Sequence, residues 1–244
     1  MVRGMEKAKH IGIVAVSAEG AALCFRTICM EGAALFGRHA HPEITLHAVP
    51  LADYMNPIYR GQWKDVGEML LSSAQKLQKV GAQFLICPDN TVHQGIDLIR
   101  EQSPLPWLHI AEEVAAAAAA RGFHRVLILG TRYLMEGPVY PPKLQAVGIG
   151  YVIPPPEARE RINNAIFDEL VYGRFELATR SYFAQVIEEH KQRGCDAVVL
   201  GCTEIPLLIA EQDSTLPTLD STRILARAAL RESKAANSCS DGEG

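Results

Sequence analysis

The sequence predicts an α/β fold: two pseudo-symmetric three-layer α/β/α domains, each with a mostly parallel sheet, and a site in the cleft between them. Two observations carry that expectation. Strand-like and helix-like segments alternate from end to end, the pattern of parallel strands covered by helices. The second half also repeats the first. Residues 81–91 and 194–204 each read as a helix-stopping glycine, a polar residue, a buried strand and a polar turn, with Asp89 113 positions before Cys202. Residues 13–17 match 127–131 at an offset of 114. A unit of roughly 110 residues suits one small α/β domain. The expected layout is a first half over 1–110, joined by a C-terminal helix over 217–235, a second half over 111–216, and a flexible tail over 236–244.

Taken in order, residues 11–16 are an apolar run ending in Ser17-Ala18-Glu19-Gly20, a buried strand followed by a turn. Residues 44–49 read as a second strand. Over 64–80, Val66, Met69, Leu70, Leu77 and Val80 fall at helical spacing, and Gly81 supplies the stop. Residues 84–87 are a short strand, and the alanine-dominated stretch 112–121, closed by Gly122, is a tightly packed helix. The second cycle has a strand at 125–129, a helix near Gln145, a strand at 151–153, helices at 157–172 and 180–193, and a strand at 197–200. Ile162, Ala165, Ile166 and Leu170 mark the buried stripe of the first of those two helices. A last helix covers 221–232.

Composition excludes several classes. With 48% apolar and 21% charged residues, the chain is that of a folded globular protein. A net charge of −4 argues against a nucleic-acid partner, which calls for a basic stripe. No apolar run reaches the roughly 18 residues of a membrane span, and the basic start leads into a strand-like run instead of a signal sequence. A cytoplasmic protein without a membrane partner is expected. Cysteines at 24, 29, 87, 195, 202 and 239 form neither a disulfide framework nor paired zinc spacing. A cysteine that matters should then act as a thiol, with no metal.

Two turns carry the candidate chemistry: Cys87-Pro88-Asp89-Asn90-Thr91-Val92-His93 and Gly201-Cys202-Thr203-Glu204-Ile205-Pro206. Each follows an apolar strand, so its polar side chains belong at a strand's carboxyl end, where open α/β sheets bind ligands. Asp89 and Cys202 would face each other across the cleft. A thiol whose pKa is lowered by dipoles or a helix N-terminus becomes a base or nucleophile. The amides of Thr203 and Glu204 would cradle an anion, with Asn90 and Thr91 doing so from the other half. The plainer alternative makes Asp89 and Thr91 an Asx-type turn and Cys202 a small core residue.

The run from Gly201 to Pro206 resembles the second-thiol motif of the aspartate/glutamate/hydantoin racemase superfamily, and the run from Asp89 to His93 resembles its first motif. The similarity extends through Gly61-Gln62-Trp63, Leu108-His109-Ile110, Asp168-Glu169-Leu170 and Asp220-Ser221-Thr222, over residues 11–230, and looks most like the amino-acid, aspartate-type branch. The resemblance implies a racemase or epimerase of aspartate, glutamate or a similar acid, working by two-face α-proton transfer without pyridoxal, metal or other cofactor. It implies Cys202 and Asp89 as the acid/base pair. Asn90, Thr91, Thr203 and Glu204 would surround the α-carboxylate, and Ser17 and Thr131 would line the pocket. A small-molecule substrate and a homodimer are also implied.

One position departs from the pattern. The family usually has cysteine immediately before Asn-Thr, and this chain has Asp89. Asp89 would serve as a base if burial raised its pKa, or would repel a second substrate carboxylate and favour a different substrate. A single thiol also suits a decarboxylase or lyase of malonate-type acids, with Cys202 alone reprotonating an enolate, or a catalytically weakened carboxylate-binding homologue. Among secondary candidates, Arg60 is a clamp for a side-chain carboxylate or a surface residue, and Lys143 reads as a solvated loop residue. His93 tunes its turn or is structural. Cys24, Cys29 and Cys195 read as buried core residues, and Cys239 as a tail thiol.

Overall fold

The computed structural model describes residues 8–234; the expected tail and Cys239 lie outside the described residues. β1 (Ile11–Ala15) is buried along its whole length. Ser17 follows it in extended backbone, and its hydroxyl accepts the Gly20 N–H at 3.2 Å, which starts α1 (Ala18–Phe36). The turn expected at 17–20 is therefore a capped helix start. Hydrophobic pattern does not reveal α1 because Gly20 and Gly32 interrupt it, and both serve close contacts. A Cβ on Gly20 would lie 2.7 Å from the Pro88 carbonyl and from Thr203, and one on Gly32 would lie 2.8 Å from His41 Cβ.

The first unit continues through β2 (Ile44–Ala48), α2 (Leu51–Tyr59), α3 (Trp63–Lys79), β3 (Phe84–Ile86), α4 (His93–Ile99) and β4 (Trp107–Leu108). Pro57 lies inside α2 and Pro50 caps it, so that helix also lacks a clear signal in the sequence. α5 (Ile110–Ala120) leads into β5 (Arg125–Leu129), α6 (Arg132–Met135), α7 (Pro141–Ala146), β6 (Gly150–Val152), α8 (Pro156–Asp168), α9 (Leu177–Gln192), β7 (Ala197–Leu200), α10 (Ile205–Leu208), β8 (Thr218–Asp220) and α11 (Ser221–Lys234). The helix expected over 157–172 stops at Asp168, and a 3-10 turn then leads to Gly173 in the left-handed region. Residues 218–220, placed by the sequence in the C-terminal helix, are a strand paired with β7.

The two sheets have the same design. Their strand orders are β2-β1-β3-β4 and β6-β5-β7-β8, parallel throughout. Each is covered on both faces, giving three layers. In the first, Val66, Leu70 and Leu77 of α3 close one face with Val14 and Leu85. Ile11, Ile13, Phe84 and Ile86 meet Cys24 and Ile28 of α1 on the other, together with Leu225, Ala226, Ala229 and Leu230 of α11. In the second, Ala111, Val114, Ala115 and Ala118 of α5 cover Val126, Ile128 and Val199, which explains the alanine run as close helix–sheet packing. Ile162, Ile166, Phe183 and Ile187 cover the opposite face. Each fully buried Leu, Ile or Phe contributes about 1.5–3 kcal/mol relative to exposure. Because all strands of a sheet run the same way, the turns after β1, β3, β5 and β7 are available to one site.

Candidate active site

Those four turns do converge. Val16 and Ser17 after β1, Asp89 and Thr91 after β3, Thr131 after β5, and Cys202 and Glu204 after β7 all line one cleft. It is a narrow cleft, with a cavity volume of about 40 Å³, and is partly open to solvent. Two hydroxyl pairs join the halves at its wall. Ser17 Oγ lies 3.1 Å from Thr203 Oγ1, and Thr91 Oγ1 lies 2.9 Å from Thr131 Oγ1. Ser17 and Thr131 are helix N-caps as well, Thr131 accepting the Leu134 N–H at 3.2 Å. The internal repeat thus supplies one cap hydroxyl from each half.

The two titratable groups of interest have opposite resting states. Asp89 is half-buried, and its Oδ1 accepts the Val92 N–H at 3.2 Å. Burial pushes its carboxyl up to about 6, opposed by the Val92 N–H and reinforced by the negative charge of Glu204. Cys202 Sγ donates to Glu204 Oε2 at 3.0 Å, and Thr203 Oγ1 donates to the same oxygen at 2.9 Å. Burial, then the adjacent Glu204 charge and its acceptance of the S–H, hold the Cys202 thiol well above its ordinary value. The lowered thiol pKa that the sequence suggested is therefore corrected. The four-residue α10 offers little dipole, and the nearest charge is an anion. Around neutrality Asp89 is mainly carboxylate and Cys202 is a thiol.

The family model for Asp/Glu/Hydantoin racemase matches residues 11–229. The chain belongs to this racemase family. It is 23% identical over 191 residues to the broad specificity amino-acid racemase RacX of Bacillus subtilis (strain 168), covering 78% of this chain and 81% of that one. It is similar to the crystal structure of an aspartate racemase homologue from Pyrococcus horikoshii OT3, with TM-score 0.80, 26% identity, and 92% and 99% of the two chains covered. Picrophilus torridus aspartate racemase shares the fold at TM-score 0.75 and 21% identity, over 92% of this chain and 94% of that one.

Within this racemase fold, several expected site residues lie elsewhere. Arg60 caps the C-terminus of α2 and lines a separate surface depression beside Asp53, Asp65 and Glu68, so it clamps nothing in the cleft. Asn90 is buried behind the cleft. Its Nδ2 donates to Ser221 Oγ at 2.9 Å, its Oδ1 accepts the Tyr140 hydroxyl at 2.7 Å, and Ser221 donates to the Leu200 carbonyl. Its amide is committed to fastening the first turn to β7 and α11, not to a ligand. Thr203 is likewise buried, engaged with Ser17 and Glu204. His93 is buried and neutral, its Nε2 donating to the Cys87 carbonyl at 3.0 Å, and so it braces the turn that carries Asp89. Lys143 is not a solvated loop residue; in α7 its Nζ lies 2.8 Å from Glu112 and 3.6 Å from Asp97. Cys24 and Cys195 are buried, whereas Cys29 is half-exposed at the helix surface.

The sequence reading missed the walls. Leu51, Met55 and Ile58 of α2 face the cleft from one side, and Ile166 and Phe167 of α8 with Val171 line it too. The signal was present in α2 as apolar residues at i, i+4 and i+7. Among the described residues, no group of three or more His, Cys, Asp or Glu is placed to hold a metal ion. No helix there is long and apolar enough to cross a membrane.

Proposed function

We propose that this protein is an amino-acid racemase in which Asp89 and Cys202 exchange the α-proton from opposite faces of a substrate in the cleft. The observation that supports this most is the pairing of a ready base with a ready acid. Asp89, with its pKa near 6, is a carboxylate at neutral pH, and Cys202 retains its proton. In one direction the substrate Cα–H proton passes to Asp89 and its electron pair enters an enolate. The Cys202 S–H then protonates the other face, leaving neutral Asp89 and a thiolate. The reverse direction starts from that second state. Glu204 aims the S–H and, by its charge, disfavours the thiolate, so the proton returns readily. The Thr91–Thr131 pair keeps one hydroxyl proton free for the α-carboxylate, where developing charge makes a well-placed donor worth roughly 3–4 kcal/mol. Protein side chains supply every proton in this scheme, without a cofactor.

The test is α-proton exchange and inversion in D2O with a panel of D- and L-amino acids. Wild type should exchange and invert both enantiomers. Cys202→Ala and Asp89→Asn should each lower inversion at least about 100-fold; Cys202→Ala should retain exchange of the enantiomer that faces Asp89, whereas Asp89→Asn, left with a protonated thiol, should lose exchange as well. Wild type that exchanges no α-proton from any amino acid refutes the assignment.

A further inference from the structure

The cleft has an unusual charge inventory for a site that takes acidic substrates. Among the described residues, its charged lining residues are Asp89 and Glu204, both carboxylates, and no Lys, Arg or His lines it. The cations that the sequence offers nearby are engaged elsewhere. Arg60 sits among carboxylates in the outer depression, and Lys143 is held by Glu112 and Asp97. The exposed Arg132 guanidinium, 5.5 Å from the centroid of the cleft-lining Tyr133 ring, is not itself among the lining residues. A second substrate carboxylate would enter a partly enclosed space without a counterion and beside two like charges. Besides the two carboxylates and the neutral Ser17, Thr91, Thr131, Tyr133 and Cys202, the lining is apolar, with Leu51, Met55 and Ile58 from one half and Ile166, Phe167 and Val171 from the other.

Building on the racemase reading, we propose that the substrate is an amino acid with an uncharged, apolar side chain, of aliphatic or thioether type, seated against the α2 and α8 walls. Its α-carboxylate and α-ammonium are the polar groups, met by hydroxyls and by the carboxylate pair. Its side chain needs only the apolar surface. A lysine-type side chain fits no better, because an ammonium laid against the apolar α2 and α8 walls would lose its water.

The experiment measures kcat/KM for α-proton exchange in D2O with leucine, methionine, aspartate, glutamate and lysine, together with binding of the same compounds by calorimetry. Leucine or methionine should exceed aspartate, glutamate and lysine at least tenfold. A preference for any charged side chain overturns the proposal while leaving the racemase reading intact. If no amino acid exchanges, the racemase reading fails, and the calorimetric ranking still decides the pocket: tighter leucine or methionine binding supports the proposal, and equal or tighter binding of a charged amino acid, or no binding of any, overturns it. Met55→Arg places a cation in the half-buried α2 wall. It should shift the aspartate-to-leucine ratio of kcat/KM at least tenfold toward aspartate. An unchanged ratio in a folded variant means that the side chain does not lie against α2, and overturns the seating.

Discussion

Replacing Asp89 with asparagine should stabilise the protein above pH 6 while removing inversion. Burial and Glu204 lift the Asp89 carboxyl from an ordinary 3.8 to about 6, so the folded state favours its protonated form. Stability gained from protonation is present in full below the unfolded-state value and is lost as pH rises through about 6. Above that pH the wild type carries an ionised group that the fold disfavours. At 1.36 kcal/mol per pKa unit the penalty is at most about 3 kcal/mol, and water reaching the half-buried side chain brings it to about 1–2 kcal/mol. Asparagine keeps the acceptor for the Val92 N–H and does not titrate. Urea unfolding at pH 4, 5, 6 and 8 reads the difference. The variant should be more stable by that amount at pH 8, and the gap should shrink to a few tenths of a kcal/mol, on the order of RT, near pH 4. Equal stability at pH 8, or a gap that persists undiminished at pH 4, refutes the argument that Asp89 is held as a strained base.

Three further substitutions probe the parts that support this pair. Glu204→Gln removes the charge that raises the Cys202 thiol, so iodoacetamide should label Cys202 faster at pH 8, followed by peptide mass spectrometry; an unchanged rate would detach Glu204 from the thiol. Gly20→Ala puts a methyl group 2.7 Å from the Pro88 carbonyl, a backbone atom with little room to yield, and should destabilise by about 1–3 kcal/mol in urea. Tyr140→Phe leaves the buried Asn90 Oδ1 without its donor and should cost about 1–3 kcal/mol with little change in far-UV circular dichroism. A neutral result there would mean that Asn90 does not depend on Tyr140 for its place.

What the sequence makes legible follows from what is local. The repeat, the strand ends and the two polar turns depend on patterns a few residues long, and the fold places Asp89 and Cys202 on one cleft as those patterns imply. α1 is hidden because Gly20 and Gly32 answer to tertiary contacts and not to helix propensity, and α2 is obscured because Pro57 lies within its apolar spacing. Arg60 fails as a clamp because the direction in which α2 ends is a property of packing, which no spacing reports. The resting state of the thiol is likewise set by burial and by where the Glu204 side chain turns. The walls draw these strands of evidence together. The same apolar surface that leaves no counterion for a substrate carboxylate also lowers the polarity around Asp89. An aspartate left in water near pKa 3.9 would be a weak base for a carbon acid. Desolvation brings it toward neutrality, and Asp89 shares its cleft with the walls on which an apolar side chain would rest. On this reasoning, base strength and substrate choice are coupled. A variant that opens the α2 wall to water should weaken Asp89 as a base and relax discrimination against acidic substrates together, because both depend on the same excluded solvent.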